Sequence, residues 1–101
     1  MSSGQDHNVD LHNNTDTTFW FKVKGAEGGT VYYSVEITGG GKNIYKPEFQ
    51  DKKYDVECYT TTYKHSDPVA QSSPFTVTDS SKKVALSEST PGTYNLAVSA
   101  V

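Results

Sequence analysis

The chain has 101 residues and a mass of 11.1 kDa, enough to bury about 65% of its unfolded surface in one core and too little for a second. Ten Val, 12 Thr, 11 Ser and 7 Tyr against 3 Leu, 5 Ala and 1 Met favour strands and nearly exclude a helical bundle. All nine basic residues are Lys and the formal charge is −3; without the planar Arg fork or a basic patch, nucleic acid is not an expected partner.

Residues 1–6 are small and polar and read as a flexible arm ahead of a single domain over 7–101. His7 to His12 predicts a weak first strand carrying Val9 and Leu11. The clearest signal spans 17–38. Phe19, Phe21 and Val23 alternate with Trp20, Lys22 and Lys24, and Val31, Tyr33, Val35 and Ile37 alternate in the same way after a loop holding Gly25, Gly28 and Gly29. A hairpin pairing Lys24 with Thr30 sets Val23 against Val31, Phe21 against Tyr33 and Phe19 against Val35, with both apolar sets on one face. Gly39 to Lys42 predicts a second turn, and 43–46 a short strand stopped by Pro47. In the long strand over 53–63, Tyr54, Val56 and Cys58 face one way and Asp55, Glu57, Tyr59 and Tyr63 the other. Further strands are expected over 74–78, 83–86 and 94–98, with 87–93 connecting the last two.

Seven or eight short strands with frequent turns predict an all-β fold. The expected architecture is a single antiparallel β-sandwich, with a small β-barrel as the alternative. The run Tyr54 to Tyr59 followed by Ser73 to Val77 resembles the final strands of immunoglobulin and fibronectin type III domains, and Pro91 to Tyr94 resembles the turn before their tyrosine corner. Cys58 has no partner, so the paired Cys of true immunoglobulin domains is missing. Leu11 to Asp16 followed by Phe21 to Lys24 is similar to the approach to a lysine-bearing strand in major-sperm-protein-type domains. That resemblance implies an immunoglobulin-like sandwich that binds peptides or self-assembles, with Lys22 and Lys24 as peptide contacts.

The single Cys and the absence of an apolar leader near Met1 favour a cytosolic setting over a secreted one, although a mature fragment of a precursor fits the same sequence. No apolar run is long enough for a membrane span. Asn13-Asn14-Thr15 fits the glycosylation pattern and is expected to be silent.

No motif names a reaction. His7 and His12 flank Asp10 near Asp6, but their spacing matches no standard zinc arrangement. A Cys58–His65 pair is set against the expectation that Cys58 is buried and inert. Gly39 to Lys42 fails as a phosphate loop because Glu36 and Asn43 stand where Gly and Ser or Thr are required. Asp55 and Glu57, about 7 Å apart at strand rise, suit a solvated face; calcium held with Asp51 or Asp67 is the less favoured reading. No cofactor is expected.

The chemistry that remains is aromatic. Trp20 is expected on the outer face of the first hairpin with Tyr32 diagonal to it, Lys22 opposite Tyr32, and Ser34 and Glu36 around them; Tyr59 and Tyr63 share the outer face of the long strand. Flat rings beside hydroxyls and carboxylates suit sugar rings or peptide edges. The leading expectation is a non-catalytic binding module, lectin-like or adhesive, that recognises carbohydrate or a protein surface. The alternative is a self-associating protein, because Leu96 to Val101 carries no charge and such an edge pairs readily. An enzyme or an inhibitor has the least support.

Overall fold

Eight strands form in the computed structural model, which describes residues 7–62 and 67–101. They are β1 (Val9–Asn13), β2 (Phe19–Gly25), β3 (Val31–Ile37), β4 (Lys42–Tyr45), β5 (Tyr54–Thr60), β6 (Ala70–Gln71), β7 (Lys82–Thr90) and β8 (Thr93–Ala100). Two four-stranded sheets, ordered β4-β1-β7-β8 and β3-β2-β5-β6, face each other. No described residue lies in a helix that could cross a membrane.

Period-two alternation builds the core from both sheets. Val9 and Leu11 of β1, Val84 and Leu86 of β7, Phe19, Phe21 and Val23 of β2, and Tyr54, Val56 and Cys58 of β5 are all buried in one cluster. At about 25 cal/mol per Å², each of these side chains stabilises the fold by roughly 1.5–3 kcal/mol. β5, between β2 and β6, is buried on both faces from Tyr54 to Tyr59.

Four expectations need correction. The sandwich is not wholly antiparallel, because β1 and β7 run parallel; they are joined through most of the chain rather than by a hairpin, so no tight turn imposes the antiparallel sense. The first hairpin slips by two residues from the expected pairing. Phe21 faces Val35 and Phe19 faces Ile37, and a bulge opposite Val23 and Lys24 absorbs Tyr32. From Tyr33 on, a shift of two keeps each side chain on its face, which is why the apolar pattern alone did not detect it. Before the bulge, Val31, expected inward, stands on the outer face opposite Lys24 and is 48% exposed.

The expected strand over 74–78 is a single bridge between Phe75 and Tyr54. Pro74 brings no N–H to a ladder, and Ser72 satisfies Val56 instead: its Oγ accepts from the Val56 N–H at 2.9 Å and its own N–H donates to the Val56 carbonyl at 2.8 Å. Finally, 87–93 is not a connection. β7 and β8 run on into one long hairpin turned by Pro91 and Gly92, with Gly92 at φ 83° and its N–H donating to the Glu88 carboxylate at 2.8 Å.

Candidate functional site

The outward residues of β2 occupy the middle of the β3-β2-β5-β6 sheet, so each gains a neighbour on either side. Trp20 lies between Glu36 and Tyr59, Lys22 between Ser34 and Glu57, and Lys24 between Val31 and Asp55. Gln71 of β6 extends the middle row beyond Glu57. Trp20 and Lys22 are half-buried, while Ser34 and Glu36 are exposed.

The β5 part of this face is polar and deep. Asp55 and Glu57 are only 9% and 6% exposed. Lys24 Nζ lies 3.1 Å from Glu57 Oε2, and the Tyr59 hydroxyl donates to Glu57 Oε1 at 2.5 Å, so both Glu57 oxygens are engaged. Lys22 Nζ stands 4.5 Å from the centre of the Tyr59 ring, a cation–π contact that caps it. Burial, then the hydrogen bond to Glu57 and the charges of Glu57, Asp67 and Asp55, push the Tyr59 phenol up to about 12. Burial and the Glu57 charge hold the Asp55 carboxyl above its usual range, opposed by Lys24 and by a hydrogen bond with Gln71. Asp55 Oδ1 is buried without a hydrogen-bond partner among the described residues.

The expected site residues divide. Trp20, Lys22, Ser34, Glu36 and Tyr59 share this outer face. Tyr59 contributes a buried strut rather than an open ring, being 8% exposed. Tyr32 leaves the face altogether. The bulge turns its ring to the inner side, over Gly25, where an added Cβ would lie 3.1 Å from Tyr32 Cε2. There it packs edge-on against Tyr54, ring centres 5.7 Å apart, and Phe49, 6.3 Å apart. Lys22 therefore stands opposite Ser34, not Tyr32. Tyr63 and His65 lie outside the described residues, as do residues 1–6 with Asp6.

Other expected groupings are not assembled. The His7 ring is 2.7 Å from the Val77 carbonyl, whereas Asp10 and His12 line a shallow cleft of about 260 Å³ beside Lys42, Ile44 and Lys83. No group of three or more His, Cys, Asp or Glu side chains placed to hold a metal occurs among the described residues. Lys24 already supplies the cation facing Glu57, and Asp51 lines a separate cleft of about 390 Å³ with Gly25, Glu27, Tyr32, Lys52 and Lys53. Cys58 is sealed in the core, and burial pushes its thiol up, away from thiolate chemistry.

Two features go beyond what the sequence reading specified. The Lys24–Glu57–Tyr59 network was signalled by the alternation that puts those residues on one face, but the pairing of β2 with β5 is a long-range contact that alternation does not specify. Asn13, at the glycosylation pattern, is completely buried and donates from Nδ2 to the carbonyls of Thr17 and Ile37, both at 2.8 Å. Its Oδ1 accepts from the Thr15 N–H and hydroxyl, so in the folded chain Asn13 is a structural clamp. No protein-family model matches the chain, and no curated protein matches it.

Proposed function

We propose that the chain is a non-catalytic binding module, lectin-like, that recognises carbohydrate or a peptide or protein surface on the outer face of the β3-β2-β5-β6 sheet, with carbohydrate the leading ligand. The immunoglobulin- or fibronectin-like reading of the sandwich belongs to the same proposal. The observation that carries it is the setting of Trp20: a half-buried indole on the outer face of the sheet, with exposed Glu36 and Ser34 on one side and the Lys22 ammonium held over Tyr59 on the other. A ring beside a carboxylate, a hydroxyl and an ammonium offers an apolar surface for a sugar's C–H face and acceptors and donors for its hydroxyls.

A surface site also suits the chemistry of the other groups. Asp55 and Glu57 are held by Lys24, Gln71 and Tyr59, and the thiol is buried. Nucleic acid is a poor fit to a face with Glu36, Asp55 and Glu57 beside only Lys22 and Lys24.

A glycan array probed with the native chain and with Trp20→Ala tests the reading. Glycans retained by the native chain and lost at least about tenfold by a folded Trp20→Ala variant are the expected result, tenfold being about 1.4 kcal/mol of contact. No retained glycan, or equal retention by both chains, overturns the carbohydrate reading.

A further inference from the structure

The two sheets have four free edges, β4 and β8 in one and β3 and β6 in the other. An edge strand exposes unpaired N–H and C=O groups, and proteins usually block such edges with charge, Pro, bulges or brevity. Three of the four are blocked in these ways. β6 has two residues and lies between Pro68 and Pro74. β4 has four, begins at Lys42 and ends before Lys46 and Pro47. β3 carries Glu36 and the bulge at Tyr32, and it is tied to the β4 edge by the Tyr33–Asn43 hydrogen bond and the stacked rings of Tyr33 and Tyr45, 4.9 Å apart.

β8 has none of these devices. It runs eight residues, Thr93–Ala100, without a charge, a Pro or a Gly. Among the described residues β7 is its only ladder partner. β6 approaches it from the other sheet but forms no ladder with it and is too short to cover it.

We propose that β8 is a self-association edge whose occupant is β8 of a second copy, paired antiparallel about a two-fold axis through Ala97. A two-fold contact is self-complementary only if a strand can lie against itself. An uncharged strand does so without opposing like charges. Side chains stay on their own faces only when the paired residue numbers sum to an even value. The axis through Ala97 satisfies this and puts the smallest outward side chain at the crossing. Leu96 then meets Val98 of the second copy on the core side, and Asn95 meets Ser99 on the solvent side. The product is one eight-stranded sheet. A single strand pair buries less than a standard interface, so the dimer is weak and concentration-dependent. It is independent of the Trp20 face, which lies on the other sheet.

Sedimentation from about 10 μM to about 1 mM tests it on the full chain. The native mass is expected to climb from 11.1 kDa toward twice that value. Ala97 is exposed, so Ala97→Lys and Ala97→Glu should each fold, put like charges across the axis and remain monomeric. An equimolar mixture of the two variants should dimerise at least as tightly as the native chain. A native chain that stays monomeric at the top concentration overturns the proposal. So does an Ala97→Lys variant that dimerises like the native chain, or a mixture no tighter than its components. If Ala97→Lys fails to fold, the double variant Asn95→Lys/Ser99→Lys, both on the same exposed row and facing each other's lysines across the pairing, gives the same readings, with Asn95→Glu/Ser99→Glu as its complement.

Discussion

Asn13 and Asp55 are both buried polar residues, and their surroundings use them in opposite ways. Asn13 has every donor and acceptor engaged, so it joins the end of β1 to the 14–18 loop and to the end of β3. Asn13→Ala removes the amide donor from the Ile37 carbonyl, leaves the Thr17 carbonyl with the Thr15 hydroxyl alone, and opens a void. The expected cost is about 2–4 kcal/mol, read as a lower urea midpoint at unchanged slope. Asp55 is held less well, with Oδ1 lacking a hydrogen-bond partner among the described residues and Glu57 on the same face. Its folded pKa lies above the ordinary 3.8, so the native state favours the protonated form more than the unfolded chain does. The stability this contributes is complete below about pH 3.8 and is lost as pH rises through the folded value. Asp55→Asn should therefore raise the melting temperature at pH 7, and the gain should shrink toward zero as pH falls below 4. An equal gain at both pH values would show that the carboxylate charge is not its source.

At the scale of the element, what was legible depended on how local the cause was. Alternation identified β2 and β5 with their inward faces, and that of β3 from Tyr33 on, because period two is a property of the strand itself. Val31, before the bulge and expected inward, faces out. It did not locate the bulge. Whether Tyr32 or Ser34 stands opposite Lys22 depends on loop geometry, including positive φ at Gly28 and Gly29 and the bond from the Gly25 N–H to the Thr30 carbonyl. One misplaced ring then removed Tyr32 from the expected site. The turn at Gly39 shows a similar limit. Three consecutive glycines read as a flexible turn, yet a Cβ on Gly39 would lie 2.5 Å from the Asp16 carbonyl carbon. Close backbone approach is the reason for glycine there, and it follows from β3 running back past the 14–18 loop. Gly39→Ala should cost about 1–3 kcal/mol, measured by chemical denaturation. Gly28→Ala, with open space around its Cβ position but φ 88°, should cost about 1–2 kcal/mol from backbone strain alone.

For the whole molecule, composition was the strongest guide. Scarce Leu and abundant Val, Thr and Tyr translate into two sheets around one core. The parallel β1–β7 pair was not legible, since strand order across sheets is decided by which surfaces bury best together rather than by any local pattern. The site was legible to the same degree as the sheet beneath it. Trp20, Lys22, Ser34, Glu36 and Tyr59 follow from alternation and were found on one face, whereas the depth of Tyr59 and the loss of Tyr32 depend on cross-sheet packing. Recognition through that face is the central claim. Trp20 is the only tryptophan in the chain, so its fluorescence reports the face alone. Titration with a glycan retained on the array should shift or quench the emission along a saturable curve, and Glu36→Gln should weaken that curve several-fold with the melting temperature unchanged. Emission that stays constant at saturating glycan would contradict the account.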